Sequence, residues 1–366
     1  MSRLGRQRGG EETYCINLVR GLARIDSTNE YYLYFAPPSI PPLVDRSNFH
    51  HRVVGPSSAW IRTPLTLPRA VWRDHIDVLH VVHVLSPICS SRVVVTAFDV
   101  SYEAHPAHYP LGLRLRLSTL VPYSVRRAAR VFTISEYSKQ QLIEWYRLPP
   151  DKIEVVSCGV DTELYRPIQP AEARDRLRAR YAGLEEDFLL YVGSLQPRKN
   201  VARLLEAFAL LDDESGRHRQ LLVVGKWKWL TVEVETALER FGLRDRVRFT
   251  GHVPDEDLPL FLNSAAALVF PSLYEGFGLP VLEAMACGTP VVCADATSLP
   301  EIARGAAELV DPYDAEDIAR GLHAVLSSPA RRAELRQQGL QRAAAFTWEE
   351  TARRALRVFM AVAGER

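Results

Sequence analysis

Two glutamates, Glu275 and Glu283, lie eight positions apart within residues 274–292, YEGFGLPVLEAMACGTPVV. Two carboxylates this close in sequence could act as a general acid and a general base. Pro280, however, suits the first position of a helix, which places Glu275 in the preceding loop and Glu283 one turn into the helix. The two carboxylates therefore do not share one helical face, and we expect them to bind separate hydroxyl groups of a ligand.

Glycines follow the first of these carboxylates. Gly276 and Gly278 have no side chain, so the backbone N–H groups of this loop can approach a ligand closely. The less specific alternative is that Glu283 is an ordinary residue of a helix surface and that the glycines form a plain turn. The complete string, rather than either glutamate alone, favours a binding loop.

A second cluster, residues 191–200 with the sequence YVGSLQPRKN, combines a turn with two cations. An apolar strand precedes the turn, and a helix is predicted to begin directly after the cations. The first N–H groups of a helix favour anions, and an Arg–Lys pair adds one forked and one point charge. The cluster predicts a diphosphate site, with a solvated basic loop as the alternative. The candidate anion-binding residues of this cluster are Gly193, Ser194, Arg198 and Lys199.

The elements that must position these residues alternate between strands and helices. Short runs rich in Val and Ile predict strands, and apolar residues at helical spacing predict the helices between them. The predicted strands are residues 31–35, 78–84, 92–97, 131–134, 188–192, 221–224, 247–250, 267–270, 291–293 and 308–310. The predicted helices are residues 14–25, 136–145 with Ser135 as N-cap, 201–211, 231–241, 255–263, 280–286, 315–327 and 348–362.

This alternation indicates an α/β fold with two doubly wound parallel-sheet domains facing a cleft. Such a cleft collects ligands at the carboxyl ends of the strands. Two prolines within residues 166–170 interrupt the pattern and mark the predicted boundary. We therefore predict an N-terminal domain over residues 1–165, a C-terminal ligand-binding domain over 166–346, and a last helix within 347–366 that crosses back to the first domain.

Composition and charge restrict the classes of function. Residues 1–166 carry 20 Lys and Arg against 15 Asp and Glu, whereas the remainder carries 25 against 29, so the two halves present different surfaces. No basic stripe with interleaved aromatic residues is long enough to indicate nucleic-acid binding. Neither a transmembrane run nor the apolar stretch of a signal peptide is found, which predicts a cytoplasmic protein. Scattered cysteines without CxxC spacing indicate reduced thiols rather than a metal site, namely Cys15, Cys89, Cys158, Cys287 and Cys293.

Several of these strings resemble the signatures of the retaining glycosyltransferases of family 4, which have the GT-B fold. EGFGLPVLE resembles the paired-glutamate motif of that family, and GSLQPRKN resembles its phosphate-binding loop, in the same order and spacing. RGGEETY resembles the glycine loop that opens the first domain, and ISEYSKQQL and VVSCGVDTELYRP resemble its end. The resemblance spans nearly the whole chain.

The resemblance implies a role for each matching residue. Arg198 and Lys199 would hold the donor diphosphate and stabilise its charge as it leaves, as a metal ion does in other transferases, so no metal or cofactor is expected. Glu275 would contact the transferred sugar, and Glu283 would bind the ribose of the nucleotide. The other donor-binding residues that the resemblance implies are Gly193, Ser194, Gly276, Phe277, Gly278, Leu279, Gly9 and Gly10.

The first domain departs from the family pattern at the acceptor side. Phe98 stands where many relatives have a histidine before an aspartate, which is Asp99 here. Asp99 and His105 are the candidate acceptor-side residues, and Asp99 could equally be a loop cap. The histidines near enough in sequence to compensate are His80, His83, His105 and His108, with core packing or surface exposure as the alternative for each.

The first strand of the family is a second departure. An apolar run should precede the glycine loop, but Met1-Ser-Arg-Leu leads straight into it, so this strand is apparently missing. We expect a misassigned or truncated start, and we expect an N-terminally extended chain to be more stable.

Residues 104–135 contain no acidic side chain and form a basic, amphipathic segment. Five arginines accompany a series of leucines: Arg114, Arg116, Arg126, Arg127 and Arg130 with Leu111, Leu113, Leu115, Leu117 and Leu120. This pattern is typical of an interfacial helix on anionic lipid, with an ordinary surface helix as the alternative. It favours peripheral contact with the inner face of the membrane.

Three functions remain as hypotheses. The first is a bacterial retaining hexosyltransferase of polysaccharide biosynthesis, with mannose favoured, that uses a GDP- or UDP-sugar and a glycan or lipid-linked acceptor. The second is a catalytically weak or inactive relative that binds a nucleotide sugar or a partner protein, which Phe98 and the missing strand favour. The third is a sugar-nucleotide epimerase on the same two-domain scaffold, which the glutamate pair disfavours.

Overall fold

The computed structural model describes residues 9–37, 42–89, 92–211, 219–229 and 232–364. The chain divides into two compact α/β units, one formed by Met1–Gly159 with Phe346–Arg366 and the other by Val160–Ala345. The division therefore precedes the boundary that we predicted at residues 165/166. Tyr165 lies between the two boundaries, and its buried side chain hydrogen-bonds to Glu283, which binds this segment to the second unit. Asn263 holds the next residues in the same unit, because its side chain accepts a hydrogen bond from the Ile168 N–H (2.7 Å) and donates one to the Arg166 carbonyl (3.0 Å).

The strands are β1 (Tyr31–Phe35), β2 (Phe49–Val53), β3 (Val78–Val82), β4 (Arg92–Thr96), β5 (Arg130–Thr133), β6 (Ile153–Val155), β7 (Phe188–Val192), β8 (Gln220–Val224), β9 (Val247–Gly251), β10 (Ala267–Phe270), β11 (Val291–Ala294) and β12 (Glu308–Val310). The helices are α1 (Gly10–Ile25), α2 (Ala59–Ile61), α3 (Leu67–Arg73), α4 (Ser101–Ala104), α5 (Leu111–Arg127), α6 (Glu136–Tyr146), α7 (Pro170–Arg180), α8 (Val201–Ala209), α9 (Val232–Arg240), α10 (Leu258–Ser264), α11 (Leu279–Cys287), α12 (Leu299–Ala303), α13 (Ala315–Ser327), α14 (Pro329–Ala344) and α15 (Trp348–Gly364). A π-helical segment, Arg62–Thr66, joins α2 to α3, and single 3₁₀ turns lie at Pro106–His108, Pro150–Lys152 and Pro197–Lys199.

The first unit contains two parallel sheets, β1–β2 and β3–β4–β5–β6. Helix α15, the last of the chain, belongs to this unit and packs along α1. Arg24 of α1 pairs with Glu349 of α15 at 2.6 Å, and the Thr351 hydroxyl donates to the Ser157 carbonyl at 2.7 Å. The C-terminal helix is thus joined both to the first helix and to the segment that follows β6.

The second unit contains one parallel sheet in the order β12–β11–β10–β7–β8–β9. All residues of β7, β10 and β11 are buried, which explains why these strands read as continuous apolar runs. The chain starts at β7 in the middle, moves outward to β9, and then returns to β10 on the other side of β7. Open α/β sheets bind their ligands at the carboxyl ends of the strands where the order reverses, which here is between β7 and β10.

The predicted strands are all present, and each predicted helix overlaps an observed one. Ser135 caps α6 as predicted, because its hydroxyl accepts a hydrogen bond from the Ser138 N–H at 3.1 Å. The sequence pattern did not reveal the strands β2 and β6 or the helices α2, α3, α4, α7, α12 and α14. Helix α7 buries only Ala173 and Leu177, and β2 has the sequence FHHRV, so neither has a pronounced apolar periodicity.

Helix α5 contains most of the basic segment, but its leucines do not share one exposed face. Leu111 and Leu115 are exposed, whereas Leu117 packs against the core of the first unit. Leucines at every second position are spread around a helix, because its period is 3.6 residues.

No helix within the described ranges has both the length and the apolar character required to cross a bilayer. The five cysteines are free thiols, and Cys158, Cys287 and Cys293 are buried.

The contact between α1 and α15 provides a test of this packing. A Cβ atom at Gly21 would lie 2.6 Å from the Trp348 carbonyl oxygen, whereas one at Gly112 of α5 would meet nothing within 4 Å. We expect Gly21→Ala to lower the free energy of unfolding by about 1–3 kcal/mol through overpacking. The matched Gly112→Ala should instead leave it unchanged or raise it by up to about 1 kcal/mol, because alanine favours the helix. Thermal and urea unfolding of both variants would contradict this packing if the two substitutions had equal effects.

Candidate active site

The two predicted phosphate-binding cations lie directly after β7, at the reversal of strand order in the second unit. Arg198 and Lys199 form the end of the 3₁₀ turn Pro197–Lys199, and α8 begins two residues after Lys199. Asn200 between them has a left-handed backbone (φ 60°), which turns the chain into the helix. Lys199 is only 7% exposed, so this cation is held inside the protein rather than in solvent.

Both cations converge on Glu275, which follows β10. The Lys199 ammonium donates a hydrogen bond to Glu275 Oε1, and Arg198 Nη1 lies 3.3 Å from Glu275 Oε2. The same guanidinium nitrogen donates to the Tyr274 carbonyl at 2.8 Å. Glu275 is 7% exposed. The structure therefore brings together the three residues that we predicted as catalytic, in a buried cluster of two cations and one carboxylate.

The electrostatics of this cluster favour an ionised carboxylate. Burial by itself would raise the pKa of Glu275, but the adjacent Lys199 and Arg198 charges outweigh it and hold that pKa below its ordinary value. A buried ion pair contributes little net stability, because desolvation offsets most of the attraction. With one carboxylate against two cations, the cluster retains a net positive charge that suits an anionic ligand.

Hydrogen bonds join the loops after β7 and β10. The Leu273 N–H donates to the Arg198 carbonyl at 2.8 Å. Asn200 donates through its side-chain amide to the carbonyls of Pro271 (3.0 Å) and Pro312 (2.6 Å), so it also reaches the segment after β12. Asn200 was part of the predicted loop but had no assigned role. An asparagine just before a helix was the available signal, since Asn tolerates the left-handed conformation.

The predicted glycine turn after β7 is closely packed. The Gly193 N–H donates to the Val224 carbonyl at 2.9 Å, and the Ser194 hydroxyl accepts a hydrogen bond from the Gln196 side chain at 3.2 Å. Gly225, after β8, approaches so closely that a Cβ atom there would lie 1.9 Å from the Gly193 carbonyl oxygen. Two neighbouring strand ends are thereby held together beside the cations.

The glycine-rich loop after Glu275 leads directly into α11. Gly278 precedes the helix and has a φ of 111°, a backbone conformation that residues other than glycine rarely adopt. Leu279 is the first helical residue, and Phe277 is buried. Residues 276–279 therefore lie in the predicted strand–loop–helix connection between β10 and α11.

Glu283 lies one turn into α11 and has different surroundings from Glu275. Burial raises its pKa to about 7, the Tyr165 hydroxyl lowers it in part, and the charge of Asp255 raises it further. Glu283 is 9% exposed, so it is not the surface residue of the alternative interpretation. The surroundings thus shift the pKa values of the two glutamates in opposite directions.

The glycine loop of the first unit is described from Gly9 onward. Gly9 is the N-cap of α1 with φ 88°, and Gly10 is the first helical residue. Glu11 of this first turn lies 3.2 Å from His83 Nε2. His83 in turn contacts the ring of Phe98, with 5.5 Å between ring centroids. The structure therefore places one of the four nearby histidines beside both the glycine loop and the position where we expected a histidine.

The other candidate acceptor-side residues have structural contacts. Asp99 accepts hydrogen bonds from the Ser101 N–H (2.9 Å) and hydroxyl (2.5 Å), which is the loop cap of the alternative interpretation. His105 stacks on His108, with 5.2 Å between the ring centroids. His80 hydrogen-bonds to Thr96 at 2.7 Å, and burial lowers its pKa to about 4, as in a neutral core imidazole.

Two comparisons of the sequence with known proteins bear on the family of this chain. The family model described as "Glycosyltransferase Family 4" matches residues 8–164, and the one described as "Glycosyl transferases group 1" matches residues 174–342. The chain is 32% identical over 351 residues to the O-antigen chain mannosyltransferase B of Escherichia coli, covering 92% of each protein. The chain belongs to the family 4 glycosyltransferases.

Solved structures confirm the predicted GT-B fold of this glycosyltransferase. It is similar to the sucrose-phosphate synthase of Thermosynechococcus elongatus, with a TM-score of 0.78 and 24% identity over 97% of this chain and 94% of that one. It is also similar to Anabaena HepE in complex with UDP and glucose, with a TM-score of 0.74 and 19% identity over 97% of both chains. The resemblance that we inferred from EGFGLPVLE and GSLQPRKN is thus confirmed, and the chain is an enzyme of sugar transfer.

The raised pKa of Glu283 predicts a specific dependence of stability on pH. Because the folded-state pKa is about 7 against an ordinary value of 4.5, the folded state loses stability as the pH rises from about 4.5 to 7. We expect Glu283→Gln to remove this loss, so that its unfolding free energy exceeds that of the parent protein by up to about 3 kcal/mol at pH 8 and converges with it near pH 4.5. Urea unfolding at pH 5 and pH 8 measures the difference.

Glu186→Gln is the matched control, because the Glu186 side chain is 80% exposed. It should show no such dependence. A difference between Glu283→Gln and the parent that stays constant from pH 5 to pH 8 would contradict the assignment.

Proposed function

We propose that this glycosyltransferase is a retaining mannosyltransferase that moves mannose from a nucleoside diphosphate sugar to a glycan acceptor in polysaccharide assembly. The observation that carries the proposal is the buried cluster of Arg198, Lys199 and Glu275 at the strand-order reversal of the second sheet. The sugar is inferred from the name of the E. coli relative, an O-antigen chain mannosyltransferase. GDP-mannose is the donor that we favour over a UDP-sugar, since GDP is a common carrier of activated mannose.

The contacts of the cluster support a division of labour between its charges. Arg198 presents a planar fork and Lys199 a compact point charge, which together match the two phosphates of a diphosphate. In the transfer step the bond between the anomeric carbon and the phosphate oxygen breaks, and the electron pair stays on the leaving diphosphate. Fixed cations stabilise that developing charge without any reorganisation of solvent. We propose that this enzyme therefore needs no metal ion for the departure of the diphosphate.

Glu275 is the proposed contact for the transferred sugar. Once a diphosphate takes over the two cations, the Glu275 carboxylate becomes available as an acceptor for hydroxyl groups of the sugar. The sugar passes through an oxocarbenium-like state, and the acceptor hydroxyl attacks on the face from which the diphosphate departs. Because attack and departure share one face, the anomeric configuration is retained, and the proton of the hydroxyl goes to the leaving phosphate. Glu283 is the proposed ligand of the ribose, and its position beside Tyr165 supports a polar contact there.

A donor panel with variants tests this function. With GDP- and UDP-sugars and oligosaccharide acceptors, we expect the fastest transfer from GDP-mannose and no loss of activity in a chelator. Lys199→Ala and Glu275→Ala should each lower kcat by about 10²–10³-fold, since each removes a preorganised charge at the reacting bond.

Arg219→Ala is the matched control. It removes the Arg219–Asp187 ion pair (2.9 Å) before β7 and β8, at the opposite end of those strands, and should leave kcat unchanged. Donor binding without transfer would favour the catalytically weak relative instead. Unimpaired turnover in both cluster variants would place the site elsewhere.

We also propose peripheral contact of the first unit with anionic membrane. Trp60 is 72% exposed, Leu111 is 67% exposed and Leu115 is 58% exposed. The Arg116 guanidinium lies over the Trp60 ring at 5.3 Å, which joins α5 to α2 in one surface. Exposed Trp and Leu side chains suit the interfacial layer of a bilayer, and neighbouring arginines suit anionic headgroups. We call Trp60, Leu111, Leu115 and Arg116 the α2–α5 surface.

Co-sedimentation with liposomes tests the α2–α5 surface. Binding should rise with the fraction of phosphatidylglycerol in phosphatidylcholine vesicles and fall as the salt concentration increases. Each arginine near the membrane surface should contribute about 1 kcal/mol to the binding free energy. Trp60→Ala should weaken binding, whereas Trp145→Ala in α6 should not, although Trp145 is also exposed (46%). Binding that ignores the anionic lipid content would contradict the proposal.

A further inference from the structure

Thr297, between β11 and α12, has a backbone conformation that is costly for its residue type. Its φ is 57°, in the left-handed region where a β-branched residue is an outlier. Such a conformation persists only where the surroundings determine it, and outliers of this kind cluster at functional sites. In this conformation the Thr297 side chain binds the loop that carries Glu275, because the Glu275 N–H donates to Thr297 Oγ1 at 3.1 Å.

The next residue holds the same loop from its carbonyl side. Ser298 is fully buried, and its hydroxyl lies 2.9 Å from the Glu275 carbonyl oxygen and 3.0 Å from that of Phe277. A hydroxyl has one proton to donate, so the two carbonyls share it. The backbone of Glu275 is consequently held at its N–H by Thr297 and at its carbonyl by Ser298.

The third consecutive residue completes this contact. Leu299 lies against Gly278, where a Cβ atom would come within 2.6 Å of Leu299 Cδ2. Strands β10 and β11 are parallel neighbours, so the loops that follow them lie side by side. Residues 297–299 thus contact the Glu275–Gly278 loop along its whole length.

We propose that Thr297 and Ser298 are positioning residues for sugar transfer. They set the backbone of the Glu275–Gly278 loop, and through it the direction of the Glu275 carboxylate toward the sugar. A glycine at residue 297 would adopt this φ without cost but would offer no acceptor to the Glu275 N–H. The threonine side chain therefore supplies the acceptor for the Glu275 N–H. This inference rests on the proposed function, in which Glu275 contacts the transferred sugar.

The side chain of Thr297 can be separated from its backbone strain by two variants. Thr297→Gly removes both the hydroxyl and the strain, whereas Thr297→Ser retains the hydroxyl. We expect Thr297→Gly to lower kcat for transfer from GDP-mannose by about tenfold or more, as a displaced catalytic group does. Its melting temperature should fall only slightly, because relief of the left-handed strain offsets part of the cost of the lost hydrogen bond. Thr297→Ser should retain kcat within about twofold, because the hydrogen bond to Glu275 remains.

Binding of GDP alone provides the second readout. GDP carries no sugar, so its Kd measured by calorimetry should change less than about twofold in Thr297→Gly, since the cations are held by other contacts. Ser298→Ala should likewise lower kcat more than it weakens GDP binding.

Two results would overturn the inference while leaving the proposed function intact. One is an active parent protein with full kcat in Thr297→Gly, and the other is a loss of kcat that only follows the loss of melting temperature across the variants. A parent protein that transfers no sugar from any donor would instead overturn the proposed function, and the inference with it.

Discussion

The ion pair between Lys199 and Glu275, buried in the second unit, is the interaction on which the rest of the site depends. It joins the loop after β7 to the loop after β10, with Arg198 as a second cation on the same carboxylate. A buried pair of this kind would be an inefficient way to stabilise a fold, because desolvation takes back most of the attraction. Its position at the reversal of strand order explains its presence, since that is where an α/β sheet accepts an anionic ligand.

Hydrogen bonds from the surrounding loops hold the backbone of this charge cluster in place. Asn200 binds backbone carbonyls after β10 and β12, and the Leu273 N–H binds the carbonyl of Arg198. On the other side, Thr297 and Ser298 hold the backbone of Glu275. Electrostatic stabilisation of a transition state requires charges that are already in place, and the hydrogen bonds of four neighbouring loops provide this here.

The first unit has a different character. Its glycine loop at Gly9 is followed by Glu11, which pairs with His83, and His83 packs on Phe98. Phe98 is also 5.1 Å from the ring of Tyr14, so it belongs to the core between α1 and the sheet. An imidazole therefore lies beside the glycine loop even though residue 98 is a phenylalanine. Acceptor selection is expected to depend on such loops, which vary more than the donor side of a shared fold.

The fold class, the two strand–loop–helix motifs and the family were all predicted correctly from the amino-acid sequence. These follow from local patterns: apolar runs for buried parallel strands, Pro280 at a helix start, and the spacing of Glu275 and Glu283. Elements without such patterns were not predicted, for example the polar helix α7 and the strand β2. The observed boundary of the second unit also precedes the predicted one, because Tyr165 contacts Glu283, which lies far later in the sequence, and this contact places the segment before Arg166 in the second unit.

Contacts between side chains that are far apart in sequence became apparent only in the tertiary structure. Nothing in the local sequence pairs Lys199 with Glu275, since their contact depends on β10 returning to the other side of β7. The same holds for His83, which was one of four candidate histidines until the fold placed it beside Glu11, and for Thr297, whose strained backbone has no sequence signature. Local patterns follow from the chemistry of neighbouring residues, whereas partners far apart in sequence are selected by the topology of the sheet.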